Sequence, residues 1–375
     1  MSVTALDDLT IHQGYGTINQ VESGDPRWFE SYWFHVGLPV DDISIAGHLG
    51  SYPVANTMDA AAAVSVAGHQ FNVRAARTLE RDRTDMSVGP LRAEILEPYR
   101  RWRFVLEDDA DSGLAFDLEF VSDHYPMEVA TPIQHRREGR HTTWDMWHYA
   151  QTGVVGGTLV VEGETRTLAS DQAIGVRDRS WGVRPIFGQI PHKAPVPDSI
   201  AASSTWLAAR FPANDLWLWL MEPVNPLPVR TFGSLSDDSG RVRLDGCVAG
   251  ELTDSAQRLP RFFEAGFDLE YQDGSRLVSG GHVASRDTDG RRWQLDVRPI
   301  STIYSKGLGF GNPDFLHVQH KGDVVQRDDY CLGQADVVAG LVDNPAGHLN
   351  PFGIEQFCEF TGNGERGYGV IRTSI

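Results

Sequence analysis

The sequence predicts a mainly antiparallel β protein, a sandwich or barrel built in two halves with a few short helices. Three observations lead there: apolar residues recur with a period of two over short runs, Asp- and Gly-containing clusters separate those runs at hairpin spacing, and sustained helical periodicity is scarce. With 38 Gly and 20 Pro among 375 residues, turn formers are plentiful.

The clearest strands are Trp102-Arg-Phe-Val-Leu106 and Leu114-Ala-Phe-Asp-Leu-Glu-Phe120, in which the apolar side chains fall on one side. Further strands are expected at 92–96, 158–161, 216–221, 266–271, 293–297, 315–320 and 367–373. The clusters at 107–113, 236–240, 272–274 and 287–290 carry the residue types that hairpin turns favour. An Ala-rich run at 59–67 and a segment at 336–342 are the candidate short helices. Prolines 191, 195 and 197 break the strand texture, so the expected domains are 1–190 and 199–375; a proline-stiffened loop within one domain is the alternative.

Charge and composition narrow the function. Thirty-three basic against 51 acidic residues give a net charge of −18, which argues against nucleic acid because phosphate binding needs a basic face. Excess carboxylates of this kind are expected on outer faces and hairpin turns, where they promote solubility. No segment reaches the ~18 apolar residues of a membrane span, and nothing near the start reads as a secretory signal. The three cysteines, Cys247, Cys331 and Cys358, form no C-x-x-C pair, so buried free thiols and a reducing cytoplasm are expected. Oligomeric state is open.

Signatures of serine hydrolases, phosphate-binding loops and zincins are absent, and 307–312 breaks the dinucleotide pattern, so chemistry without a cofactor is expected. His317 and His320 have a metal-like spacing only on a helix; on the strand expected at 315–320 they point to opposite faces, and no metal site is expected.

Two segments concentrate reactive side chains. In Arg140 to Tyr149, a strand would send Trp144, Met146 and His148 to one side and Asp145, Trp147 and Tyr149 to the other. That strand is either an aromatic core element or the wall of a pocket in which the His148 imidazole serves as general acid or base. In Gly175 to Pro185, Arg177, Arg179 and Arg184 surround Asp178 and Trp181. This segment is either an Arg–Asp clamp closing a turn or a charged pocket wall. Trp28, Glu30, Trp33 and His35 lie on an entry strand whose tryptophans are expected in the core, and Tyr304 and Glu355 are candidate proton donor and carboxylate partner.

The segment Asp178-Arg-Ser-Trp-Gly-Val-Arg184 resembles the superfamily of hydroxyneurosporene synthase, a carotenoid hydratase. So do Trp147-His-Tyr-Ala-Gln-Thr-Gly153, Gly367-Tyr-Gly-Val-Ile371, Met86 to Glu94 and Pro98 to Trp102. The resemblance implies two tandem lipocalin-like β-barrels and an apolar cavity. Its members include a hydratase, relatives that shape polyenes for cycloaddition, and binders of lipophilic molecules. The expected function is a lyase, hydratase or isomerase acting on a terpenoid, steroid-like or aromatic molecule. From local chemistry, His148 and Asp178 are the expected acid–base candidates, and Trp147, Tyr149, Arg179, Trp181, Arg184, Tyr304 and Glu355 are expected to hold the substrate. The alternatives are a lipophilic-ligand carrier and a pericyclase-like template.

Overall fold

The computed structural model describes residues 3–10, 21, 23–80, 82, 84–107, 113–128, 135–138, 141–184, 202–223, 243–252, 259–273, 277–312, 314–333 and 353–374. Residues β1 (Trp28–Gly37), β2 (Ile43–Tyr52), β3 (Thr57–Val66) and β4 (His69–Thr78) run as an antiparallel meander. They are followed by β5 (Ser87–Val88), β6 (Leu91–Glu97), β7 (Arg101–Leu106), β8 (Leu114–Val121), β9 (Met127–Glu128), β10 (His135–Glu138), β11 (His141–Val161), β12 (Glu164–Leu168) and β13 (Ile174–Val183). The second half contributes β14 (Ala202–Arg210), β15 (Asp215–Pro223), β16 (Arg243–Ala249), β17 (Phe262–Tyr271), β18 (Val278–Asp287), β19 (Arg292–Tyr304), β20 (Val324–Cys331), β21 (Ile354–Gly362) and β22 (Glu365–Ser374).

Among the described residues these strands form two antiparallel sheets. The first follows the order β20-β4-β3-β2-β1-β13-β11-β8-β7-β6-β5, and the second β16-β15-β14-β22-β21-β19-β18-β17. Each curls until its ends approach. Arg77 on β4 donates to the Ser87 carbonyl on β5 at 2.6 Å, and Val248 N–H on β16 donates to the Pro260 carbonyl ahead of β17 at 3.0 Å. The all-β class read from the sequence is therefore the class of the fold.

One expected helix is a strand. Residues 59–67 fall largely in β3, where Met58, Ala60, Ala62 and Val64 line the interior of the first sheet while Ala61 and Ala63 pack outward against the second. A strand buried on both faces shows no period of two, and its small alanines let both layers approach. The strand expected at 315–320 is instead a turn segment after the short 3₁₀ helix Ser305–Leu308, and its backbone is pinned elsewhere, as described below. The segments 190–199, 236–240 and 336–342 lie outside the described residues. Cys247 and Cys358 are buried free thiols, whereas Cys331, on the edge strand β20, is exposed.

β20 comes from the second half of the chain yet pairs along its length with β4 of the first sheet. Arg74 of β4 grips Asp328 of β20 through both terminal nitrogens, at 3.0 and 2.7 Å, and Asn72 adds a third bond at 2.9 Å. Bidentate charge-assisted pairs of this kind fix register as well as contributing energy.

Among the described residues, the three largest apolar clusters fill and join the two sheets. One fills the first curled sheet, with Phe34, Trp102, Phe104, Phe116 and Phe120 among its members; another fills the second, around Phe211, Trp293 and Phe360. The third lies between the sheets and joins Phe29, Trp33, Met146, Trp206, Trp217 and Phe357.

Candidate active site between the two sheets

Strand parity decides which side chains meet. On β1, Tyr32 and Phe34 enter the first interior, so Phe29, Ser31, Trp33 and His35 occupy the face toward the second sheet. Cross-strand register extends that face along two rows. Ala150, Asp178, Trp33, His48 and Ala61 stand opposite one another in turn, and beside them run His148, Ser180, Ser31, Gly50 and Asp59. From the second sheet, Trp219, Trp206, Arg372 and Glu355 form the facing row, with Trp217, Ala208, Val370 and Phe357 next to it.

His148 and Asp178 therefore share one face on neighbouring strands, and they meet. Nε2 of His148 lies 2.5 Å from Asp178 Oδ2, with the two side chains only 8% and 11% exposed. Burial alone would push the Asp178 carboxyl up; the His148 imidazole, its hydrogen bond, and the guanidinium groups of Arg372 and Arg184 outweigh that and hold it below the usual carboxylate range. An ionised Asp178 accepts the Nε2–H of His148, which leaves Nδ1 as the ring nitrogen free to exchange a proton. Nδ1 is buried and makes no hydrogen bond among the described residues. The rings of Trp217 and Trp219 stand edge-on to the imidazole, at 6.1 and 6.4 Å between centroids. Arg184, whose guanidinium burial pushes down to about 10 against the opposing pull of Asp178, remains a cation at neutral pH and lies over Phe29.

Glu355 ties the two sheets together beside this pair. Its Oε1 accepts from Trp33 Nε1 at 3.1 Å and from the Ser305 hydroxyl at 3.3 Å, and Arg372 Nη2 lies 3.2 Å away. His35 Nδ1 approaches Oε2 at 3.2 Å while its Nε2 meets the Ser44 hydroxyl at 2.9 Å. The guanidinium of Arg372 also covers the faces of Trp33 and Trp206. Every oxygen of this carboxylate is engaged, so Glu355 positions Arg372 and Trp33.

Four residues grouped with His148 and Asp178 on sequence grounds lie on the other side of the sheet. Tyr149 and Arg179 stand opposite each other in register and point into the first curled sheet, as do Trp147 and Trp181. Arg179 pairs with buried Glu30 at 2.9 Å and stacks on Tyr32, and Arg177 pairs with Asp8 at 2.9 Å over the Trp102 ring. Asp8, in the 3₁₀ helix Ala5–Asp8, also accepts from Trp102 Nε1 and the Tyr149 hydroxyl. Trp147, Tyr149 and Trp181 form an aromatic cluster with Trp28 and Tyr99. The cations around Asp178 are thus Arg184 and Arg372 rather than its sequence neighbours, because adjacent residues in a strand face opposite ways. Nor does the Gly175 to Pro185 segment close a turn: its described part is the central strand β13. Tyr304 sits in another small cluster with Tyr330, Leu332 and Ile354.

Two groups on the same face, His48 and Asp59, escaped the sequence reading, and both meet His317. His317 was weighed with His320, but its Nδ1 lies 2.9 Å from Asp59 Oδ1, and His48 Nδ1 lies 3.8 Å from the same oxygen. His320 is exposed. The Tyr52 hydroxyl donates to Asp59 Oδ1 at 3.1 Å, and the Val318 N–H to Oδ2 at 3.1 Å. Val318 adopts a φ of 72°, costly for a β-branched residue, so this contact holds the turn against its own preference. Burial, with further lowering from His317, drives His48 down to about 3 despite the raising pull of Asp59 and Asp178, so its ring is neutral.

A curled all-β pair of sheets with a buried, charged and aromatic interface defines the class of this protein. The chain belongs to the family of unknown function DUF8625, whose model matches residues 3–346. No curated protein matches it in sequence. It is similar in structure to kievitone hydratase from Nectria haematococca, with 11% identity, a TM-score of 0.47, and coverage of 92% of this chain and 88% of that one. It is also similar to CghA, with 10% identity, a TM-score of 0.47, and coverage of 93% and 88%. Among the described residues no helix is long and apolar enough to cross a membrane.

Proposed function

We propose that the face between the two sheets is a catalytic site for proton transfer on a small apolar molecule, by addition or elimination of water or by isomerisation. The observation that carries this reading is the His148–Asp178 pair: a buried carboxylate orients an imidazole through Nε2, and Nδ1 is left with no hydrogen bond among the described residues. An imidazole so oriented is the arrangement of a general base, able to take a proton on Nδ1 and return it. Asp178 stabilises the imidazolium that forms. Arg372 and Arg184 keep Asp178 ionised through the cycle and offer positive charge to a polar end of the substrate.

The surroundings favour an apolar substrate. Trp33, Trp206, Trp217, Phe29 and Met146 belong to the apolar cluster on this face, and aromatic faces also stabilise a carbocation formed by alkene protonation. A carrier has no use for an oriented base, and a shape template has no use for an acid–base pair. The roles assigned above rest on His148 and Asp178; Trp147, Tyr149, Arg179 and Trp181 support them from the far side of the strands.

The test is to replace His148 by Ala and Asp178 by Asn separately and to follow turnover of terpenoid, steroid-like and aromatic alkenes and alcohols by mass. Each variant is expected to lose about 10²- to 10⁴-fold in turnover with unchanged circular dichroism. Turnover that survives both substitutions would overturn the proposal.

A further inference from the structure

We propose that His48, Asp59 and His317 form a binding site for a divalent transition-metal ion of the zinc type. The inference is independent of the acid–base reading, because it rests on a different set of side chains.

The three residues come from β2, β3 and the turn segment after the 3₁₀ helix, and the sheet register and that turn bring them together. One potential donor atom from each lies within 4.8 Å of the others. In a tetrahedral zinc site, ligand atoms at 2.0–2.2 Å from the ion stand about 3.4 Å apart. The Asp59 Oδ1 distances to His317 Nδ1 and His48 Nδ1, 2.9 and 3.8 Å, bracket that value. Two imidazoles and a carboxylate suit zinc and its neighbours in the first transition row, and they leave a coordination position for water or a ligand.

A second observation points to a ligand. The ring of His48 is held through Nε2 by the Ser31 hydroxyl at 3.0 Å, while Nδ1, fully buried and aimed at Asp59, makes no hydrogen bond among the described residues. A histidine whose remote nitrogen is fixed by a hydrogen bond and whose near nitrogen faces a carboxylate has the usual orientation of a metal ligand. The neighbourhood is built to keep the three groups in place. A Cβ on Gly50 would lie 2.2 Å from the Tyr52 hydroxyl and 3.0 Å from Asp59 Oδ1, so only glycine leaves room for the Tyr52–Asp59 bond. Gly309, at φ 93°, similarly clears the His317 ring, and Phe310 packs against both imidazoles. On metal entry the His317 proton shifts from Nδ1 to Nε2, and the ion takes the place of the hydrogen bond to Asp59.

The experiment is titration of chelator-treated, full-length protein with Zn²⁺ by calorimetry and with Co²⁺ by visible absorption, which reports coordination number and donor type. One equivalent is expected to bind, with a Co²⁺ spectrum of a four- or five-coordinate nitrogen–oxygen site. His48→Gln and His317→Gln should each weaken binding at least 100-fold, whereas His69→Gln and His282→Gln, at the exposed histidine–carboxylate pairs, should leave it unchanged. Ser31→Ala keeps every ligand and should weaken binding about 10-fold through loss of the bond that orients His48. Absence of a stoichiometric site, or binding insensitive to His48→Gln, His317→Gln and Ser31→Ala, would show instead a plain hydrogen-bonded Asp59–His317 pair and overturn the proposal.

Discussion

At the scale of single residues, Asp178 shows how a buried carboxylate is kept charged. Burial opposes ionisation, and His148, Arg372 and Arg184 together reverse it. Removing one cation should weaken the hold: Arg372→Met is expected to move the acidic limb of the kcat/KM profile to higher pH, because Asp178 then takes up its proton sooner. A limb that stays in place would show that Arg372 does not act on Asp178. His148 and Asp178 were legible from the sequence as reactive types on strands. Their partnership was not, because it depends on β11 pairing with β13 in one register, and Arg372 lies almost 200 residues further on. Tyr149 and Arg179 serve the other layer, as the alternation of odd and even positions along a strand requires.

At the scale of elements, the central strand β13 carries two jobs. Its odd positions Arg177 and Arg179 neutralise Asp8 and Glu30 inside the first sheet, while Asp178 and Ser180 face the second. Gly182 keeps that strand close to β11: at φ 125°, a Cβ there would lie 2.1 Å from the Asp145 carbonyl. Gly182→Ala is expected to lower stability by about 1–3 kcal/mol in denaturant unfolding, from backbone strain alone. Asp8→Asn should cost more, about 3–5 kcal/mol, since Arg177 would be left as a buried cation without its carboxylate. The alternating strands at 102–106 and 114–120 were readable because one face is apolar and the other wet. β3 was not, because both of its faces are dry. The turn holding His317 was misread as a strand, since its shape follows from the Asp59 contact with Val318 and not from its own residues.

At the scale of the whole molecule, docking of the sheets is partly electrostatic. His124, just beyond β8, lies 2.7 Å from Asp215 of β15, and Arg210 of β14 reaches Asp123 at 2.5 Å. Burial would lower His124, but its hydrogen bond to Asp215 and the charge of that carboxylate raise it above the ordinary value. A raised histidine stabilises the fold fully below its unfolded value near 6.5, and that contribution fades as pH rises through the folded value. The midpoint of unfolding should therefore fall as pH rises above about 6.5, and His124→Gln should flatten this dependence. An identical slope in the variant would assign the pH sensitivity elsewhere. The all-β class was open to sequence reading; the pairing of β20 with the first sheet was not, since no local pattern names a strand's partner.

The most direct test of proton transfer between the sheets is the mass of the product after turnover in deuterium oxide. Transfer through His148 predicts, for the wild-type protein, one non-exchangeable deuterium on product carbon in addition of water or isomerisation with solvent exchange, or, in elimination, loss of one carbon-bound deuterium from a labelled substrate, and neither above the uncatalysed level with His148→Ala. A ligand that is bound and released unchanged, or a product whose carbon has neither gained a solvent deuterium nor lost a substrate label, would contradict it.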